Sequence, residues 1–301
     1  MVKAKIIDNK MKSKVHILGA KGFIGKNLSI FFSKEKKYEK KDYDLPDLDL
    51  SYYPSLEKKL KDVEKNDSII MTSSITRLVE NSLDSNIKNV KMIGNLSRFL
   101  EKNPIGHITF LSTTDVYGIV KEGTIIDEQT NIMPKDYYSV SKCSCEFILK
   151  NCCSKRNIPL LILRLSGIYG SGDVGKSTLS RLVSSAIKEK KIIIEDDVKR
   201  DFVYVEDLCN LIKRGIEQKK DLTVNVATGS SYKISELAEF ISELLPKKVE
   251  IIKNPRERTT KRNKDMIYNI SLLNENFPGF NFMDIQETLS LYIKNFFMKN
   301  G

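Results

Sequence analysis

The feature that most constrains this chain is GAKGFIG, Gly19 to Gly25, set between a short apolar strand (15–18) and the start of a helix (22–33). A strand that runs through glycines into a helix is the form a dinucleotide-binding turn takes. Gly19 permits the tight turn, Gly22 lets a pyrophosphate approach the backbone, and Gly25 lets the helix pack closely on the sheet. Amides at the helix start then face the anion. Phe23 and Ile24 lie inside this turn and are taken with it as cofactor-binding positions. The spacing is GxxGxxG rather than GxGxxG, and the plain alternative is a glycine-rich turn without a ligand.

Further along, strand patterns at 38–44, 68–72, 107–112 and 160–165 alternate with helix patterns at 54–65, 87–102 and 137–156. Such alternation demands parallel pairing with right-handed crossovers. The expected class is therefore α/β, a Rossmann-type doubly wound parallel sheet. After Gly170 the texture changes: a helix at 179–190, a strand at 191–195, a helix from Glu206, a strand at 223–227, and a helix at 235–245 with Ser235 as its cap. From Lys247 the chain is irregular, and a final helix runs from Asp284. This predicts a dinucleotide-binding domain over 1–170, to which 200–228 returns. A smaller, interleaved C-terminal substrate-binding lobe takes 171–199 and 229–301.

The net charge of +11 raises the question of nucleic acid, and its make-up answers it. Forty of the 50 basic residues are lysine, scattered among 39 acids, whereas specific readout leans on arginine forks. A solvated surface is expected, with no nucleic-acid partner. No apolar run approaches the ~18 residues of a membrane helix, so no membrane partner is expected either. The charged start, MVKAKIIDNKMKSK, argues against secretion, with Met11 as a second candidate start after a leader of residues 1–10. Cys143, Cys145, Cys152, Cys153 and Cys209 give no disulfide framework, which suits a reduced, cytoplasmic protein. With only His16 and His107, and no paired CxxC spacing, no metal is expected.

Two clusters carry chemistry. Tyr138 and Lys142 form a YxxxK pair on one face of the helix at 137–156. An ammonium beside a phenol favours the phenolate and would make Tyr138 a general acid/base. Twelve tyrosines and forty lysines make about one or two such pairs by chance, so position selects this one. The other, Tyr117 with Lys121, is broken by Gly118 and Gly123. LSTTDVYG, Leu111 to Gly118, ends a central strand at the sheet edge where ligands bind, and Ser112 or Thr113 can donate a hydrogen bond there. A third stretch, GSGDVGKS from Gly170 to Ser177, matches the phosphate-loop pattern with Lys176 as its cation. The strand before it stops near Leu165, and Ser166 and Gly167 break the direct strand-to-loop connection, so ATP hydrolysis is not expected.

These pieces together resemble an extended short-chain dehydrogenase/reductase of the nucleotide-sugar epimerase/dehydratase family. They stand in family order: GAKGFIG (19–25), DLDLS (47–51), STTDVYG (112–118), YYSVSK (137–142), LRLSGIYGSGD (163–173), RDFVYVEDL (200–208) and VNVATGSSYKISELAEFI (224–241). The resemblance implies NAD or NADP as cofactor and a nucleotide-diphosphate sugar as substrate. It implies a catalytic set of Thr113, Tyr138 and Lys142, with hydride moving at a sugar carbon, usually C4. It also places Asp49 and Leu50 beside the adenine, Thr72, Ser73 and Ser74 along the cofactor, and Asp115, Arg200 and Arg256 toward the substrate. Arginine suits that last task because its fork matches phosphate oxygens.

The chain departs from the family at Met71-Thr72-Ser73-Ser74, where HLAA is common, and at Gly167, where an asparagine is common. Asp42, Asp44, Asp47 and Asp49 all compete for the ribose-binding role, with Lys40 and Lys41 near enough to meet a 2′-phosphate. The resemblance favours an epimerase or 4-ketoreductase. A 4,6-dehydratase is the alternative, since dehydratases place an acid after the threonine and Thr113-Thr114-Asp115 offers only Asp115. An alternative of another class is a non-catalytic dinucleotide-binding regulator. Family members often pair through the helices at 87–102 and 137–156, which allows a homodimer, and polysaccharide biosynthesis is a natural setting.

Overall fold

The computed structural model describes residues 12–173, 177–254 and 265–300. The first half runs β1 (Ser13–Leu18), α1 (Phe23–Ser33), β2 (Tyr38–Tyr43), α2 (Tyr53–Lys59), β3 (Ser68–Met71), α3 (Leu83–Lys102), β4 (His107–Thr113), β5 (Ile125–Ile126), α4 (Tyr137–Arg156) and β6 (Leu160–Leu165). The second half runs β7 (Gly167–Tyr169), α5 (Thr178–Glu189), β8 (Lys191–Ile194), β9 (Lys199–Tyr204), α6 (Val205–Glu217), β10 (Leu222–Val226), β11 (Ser231–Lys233), α7 (Ile234–Glu243), β12 (Glu250–Lys253), β13 (Ile267–Tyr268), α8 (Ser271–Asn276) and α9 (Ile285–Asn300).

Six strands form one parallel sheet in the order β10-β6-β4-β3-β1-β2. β3 (SIIM) and β4 (HITFLST) are buried at every position, as central strands covered on both faces must be. β2 (YEKKDY) reads as a weak strand because it is the edge: Tyr38 enters the core while the charged residues meet solvent. On one face Leu28 and Phe32 of α1 and Leu208, Leu211 and Ile212 of α6 pack against the sheet. On the other, Leu56 of α2, Ile93, Leu96 and Phe99 of α3, and Leu149 of α4 do the same. This is the doubly wound sheet, and its order reverses between β1 and β3. The crevice outside the carboxyl ends of those strands is where such sheets bind ligands.

A separate core joins Leu179 and Val183 of α5, Leu237 and Ile241 of α7, Leu289 of α9 and Ile192 of β8. Small sheets border it: β11-β9-β7, β12-β8 and β13-β5. β7 and β9 lie in stretches whose strand character was not anticipated. α3 begins four residues before the expected start, because Ser82 and Ser85 cap it reciprocally at 3.0 and 3.1 Å. Ser235 is not the cap of α7: its amide and hydroxyl donate to Asp197 at 2.9 and 3.0 Å, and the helix starts at Ile234. The described cysteines are free thiols.

A buried ion pair ties α4 to the sheet. Arg164 on β6 holds Glu146 of α4 through Nε at 3.1 Å and its terminal nitrogen at 2.8 Å, with the two side chains 3% and 1% exposed. The hydroxyl of Ser112 on β4 donates to the same carboxylate, and Arg164 also donates to the Tyr117 hydroxyl at 2.9 Å. Tyr117 in turn donates its hydroxyl to Asn225 Oδ1 of β10 at 2.7 Å. Losing one partner leaves the other charge buried and unpaired, which costs on the order of 3–5 kcal/mol. Glu146→Ala should lose about that much in urea unfolding, and a loss below about 1 kcal/mol would contradict the role given to this pair.

Candidate active site

The glycine turn lies at the switch point between β1 and β3. Gly19 has φ +98°, and its amide donates to the Tyr43 carbonyl at 2.8 Å, which binds the turn to β2. A Cβ on Gly25 would stand 2.0 Å from the Gly19 carbonyl, so glycine there is required by packing. Gly22 differs. Its backbone is ordinary, φ −68° and ψ 166°, and a Cβ there would meet only the Gly19 carbonyl, at 3.4 Å. Nothing in the described polypeptide requires glycine at 22, and the space it leaves lies at the start of α1. Phe23 and Ile24 open that helix, with Ile24 resting on the core.

The strands beside the turn have polar groups to spare. Thr72 donates to the Leu18 and Gly19 carbonyls at 2.8 and 3.1 Å, and the Ser73 amide donates to Leu18 at 2.9 Å, so both tie β3 to β1. The hydroxyls of Ser74, past β3, and Ser166, past β6, are buried without a partner among the described residues. A buried hydroxyl left without a bond is costly, and a bound group that supplies one removes that cost. The cradle at Gly22 and these two hydroxyls fit a dinucleotide.

Of the four competing acids, Asp44 reaches the turn: its carboxylate accepts from the Lys21 amide at 2.7 Å, and Lys21 Nζ donates to the Leu45 carbonyl at 2.6 Å. Asp42 is taken by Ser29 and Lys40. Asp49 accepts from the amide and hydroxyl of Ser51 at 2.8 and 2.7 Å, and Leu50 is buried against α2 and α3. Asp47 is exposed.

Thr113, Tyr138 and Lys142 converge at the end of β4. α4 starts at an Asp136–Ser139 cap of 2.8 Å, which puts Tyr138 in the first turn, and the Tyr138 amide donates to Asn81 at 3.1 Å. Lys142 is buried on the same helix face, with Nζ 5.8 Å from the Tyr138 ring centre. Here the expected electrostatics change. Nζ donates to the Leu111 carbonyl at 2.7 Å rather than to the phenol, and burial brings Lys142 down to about 8. Burial also pushes the Tyr138 phenol up, Asp115 adds to that, and Arg77 opposes it. The cation that offsets the rise is therefore Arg77, not Lys142.

Thr113 Oγ1 donates to Asp115 at 3.2 Å and accepts from the Asp115 amide at 3.1 Å. Arg77, on the loop between β3 and α3, meets the same carboxylate oxygen at 2.6 Å. Neither Arg77 nor Asn81 stood out in the sequence; the signal available was one of only ten arginines among 50 basic residues. Arg200, on β9, donates to the Lys199 carbonyl at 2.7 Å; burial pulls its pKa down, against the opposing charges of Asp196, Asp265 and, least of them, Asp115. Asp201, the next residue, turns the other way and accepts from the amides of Thr228 and Gly229 at 2.8 and 2.9 Å. Gly167 has no room for the family's asparagine, since a Cβ would stand 2.7 Å from the Phe202 ring. Arg256, Lys176 and residues 1–10 lie outside the described residues. Among the described residues there is no group of three or more His, Cys, Asp or Glu that could hold a metal, and no helix long and apolar enough to cross a membrane.

The model of the NAD dependent epimerase/dehydratase family matches residues 15–227, from the first strand of the sheet to its last. The chain belongs to that family. A family relative, the GDP-6-deoxy-D-talose 4-dehydrogenase of Aggregatibacter actinomycetemcomitans, is 28% identical over 249 residues, covering 80% of this chain and 83% of its own. In fold, the chain is similar to RMD from Pseudomonas aeruginosa complexed with NADPH, at TM-score 0.84 and 21% identity over 96% of this chain and 100% of that one. It is also similar to the Thermus thermophilus UDP-glucose 4-epimerase in complex with NAD, at TM-score 0.80 and 18% identity over 94% and 98%.

The two glycines separate cofactor binding from folding. Gly22→Ala should leave thermal stability near that of wild type while weakening NAD or NADP binding by about tenfold or more, roughly 1.4 kcal/mol. Gly25→Ala should lower stability itself. Equal melting losses in the two variants, with unchanged dinucleotide affinity for Gly22→Ala, would contradict this division.

Proposed function

We propose that this chain is an NAD(P)-dependent nucleotide-sugar epimerase or 4-ketoreductase that works at a sugar carbon with Tyr138 as acid/base. The observation that supports it is that Lys142, 5.8 Å from the Tyr138 ring, reaches the Leu111 carbonyl of β4, while Asp115 links Thr113 at the end of that strand with Tyr138. When bound, the nicotinamide cofactor supplies the hydride acceptor or donor. Gly19, Gly22 and Gly25 with the start of α1 receive its pyrophosphate, Ser74 and Ser166 supply hydrogen bonds, and Asp44 or Asp49 serves its adenosine end. Tyr138 takes or gives the proton of the sugar hydroxyl, Thr113 orients that oxygen, and Lys142 donates to the cofactor ribose. Arg200 faces the substrate's diphosphate, with Arg256 as a second arginine for it. The domain over 1–170 with 200–228, and the lobe over 171–199 and 229–301, would hold cofactor and sugar respectively.

Two observations weigh against the 4,6-dehydratase reading. Thr114 gives its hydroxyl to the Leu165 carbonyl at 3.3 Å and receives the Tyr268 hydroxyl at 2.9 Å, while Asp115 is occupied by Arg77. That leaves no acid beside Thr113 free to protonate a departing hydroxyl. A regulator that only binds dinucleotide would have no need of the assembled Thr113, Tyr138 and Lys142. The setting fits a cytoplasmic enzyme of polysaccharide synthesis. A homodimer through α3 and α4 is supported by exposed Leu83, Ile87, Val140 and Phe147, and by Gly94, where a Cβ would meet nothing within 4 Å. Sedimentation at the mass of one chain would overturn the dimer.

Tyr138→Phe should remove most turnover of nucleotide hexoses while leaving dinucleotide affinity nearly intact. In the wild type, Lys142 holds its proton below about 8 and releases it above, so the donor it offers weakens as pH rises through that value. Turnover should fall over the same range. Full activity in Tyr138→Phe would sink the assignment. Mass spectrometry of the nucleotide released on denaturation separates the readings further: tightly held NAD points to an epimerase that recycles it, an empty site or loosely held NADP to a reductase, and ADP or ATP to the phosphate-loop alternative.

A further inference from the structure

Arg77 exchanges neither proton nor hydride in the chemistry proposed above, yet it stands 2.6 Å from the carboxylate oxygen that also receives the Thr113 hydroxyl. A hydroxyl bonded to a carboxylate normally closes to about 2.5–2.7 Å. The Thr113 bond is 3.2 Å, much looser than that range. The guanidinium has the closer claim on the shared oxygen, and the hydroxyl is held only weakly. The loop that carries Arg77 is itself fixed. Asn89 of α3 clamps both backbone groups of Ile75 at 2.8 and 2.9 Å and donates to Ser141 of α4, while Asn81 receives the Tyr138 amide. Arg77 is thus anchored to the helix that carries Tyr138, with its side chain 46% exposed at the mouth of the site.

Resting on the acid/base reading of Thr113 and Tyr138, we propose that Arg77 is a positioning residue that occupies Asp115 and so leaves the Thr113 hydroxyl and the Tyr138 phenol to the substrate. Without Arg77, the Asp115 carboxylate would draw the Thr113 proton to itself, and Thr113 could no longer offer it to the sugar oxygen. The same carboxylate would also bear on Tyr138 with no cation against it. The charged groups facing the phenol are Asp115 and Asp136, which both disfavour its ionisation, and Arg77, which favours it, with Lys142 one turn along the helix. Removing Arg77 leaves two carboxylates facing it.

The proposal makes Asp115 harmful only when Arg77 is absent, which a double variant can detect. Wild type, Arg77→Gln, Arg77→Lys and Arg77→Gln/Asp115→Asn are assayed with UDP-glucose, dTDP-glucose and GDP-6-deoxy-D-talose, with NAD and NADP, across pH. Arg77→Gln should lose about tenfold or more in kcat with little change in KM, while its basic-side activity limb, which Lys142 sets, should stay near its wild-type position. Arg77→Lys should recover part of the loss. Replacing Asp115 in the Arg77→Gln background should restore kcat several-fold. An Arg77→Gln enzyme with wild-type kcat overturns the proposal while leaving the acid/base reading intact. A double variant no better than Arg77→Gln also overturns it, since Arg77 would then act independently of Asp115. No turnover by the wild type with any of these substrates overturns both.

Discussion

Glu146 and Arg164 meet 2.8 Å apart and tie α4, which carries Tyr138 and Lys142, to β6 of the sheet. Tyr138, Lys142 and Glu146 are spaced i, i+4, i+8 on α4, so anchoring Glu146 to β6 turns the other two toward the end of β4. A pair so deeply buried earns little net stability over an apolar filling. What it supplies is direction: the planar guanidinium accepts one carboxylate orientation, and Ser112, Tyr117 and Asn225 extend the constraint to β4 and β10. A purely apolar interface would let α4 rotate by a fraction of a turn at small cost, and Tyr138 would move with it.

The edge so organised brings together two demands of opposite kind. At the β1–β3 switch point the chain offers amide hydrogens, a glycine that makes room and the unbonded Ser74 hydroxyl, all suited to an anionic dinucleotide. At the end of β4, burial dominates. It pushes the phenol of Tyr138 up and Lys142 down to about 8, and the charges facing the phenol are those of Asp115, Arg77 and Asp136. An acid held in its protonated form suits proton delivery to a forming alkoxide, the direction in which a ketone is reduced.

Much of this was legible in the sequence, for identifiable reasons. β3, β4 and β6 are continuous apolar runs because both their faces are covered, and α4 runs over 137–156 as its pattern indicates. The glycine turn was readable because its constraints act within seven residues. What escaped depends on contacts distant in sequence. β9 becomes a strand by pairing with β7 and β11, and Asp197 overrides the local cap at Ser235. The effect of Lys142 on Tyr138 was misjudged because helical spacing gives proximity but not the direction of the ammonium, which a β4 carbonyl decides. Arg77 reaches Asp115 across 38 residues of chain, and no fixed spacing marks such a pair.

The account stands or falls on hydride transfer at this site. The most direct test is to incubate the protein and NAD or NADP with nucleotide hexoses carrying deuterium at C4, and to follow the label by mass spectrometry. The account predicts deuterium on the nicotinamide, or returned to C4 of the epimer, with both signals lost in Tyr138→Phe. Deuterium that stays on unchanged sugar for every nucleotide hexose tested, in a protein that binds the dinucleotide, would contradict it.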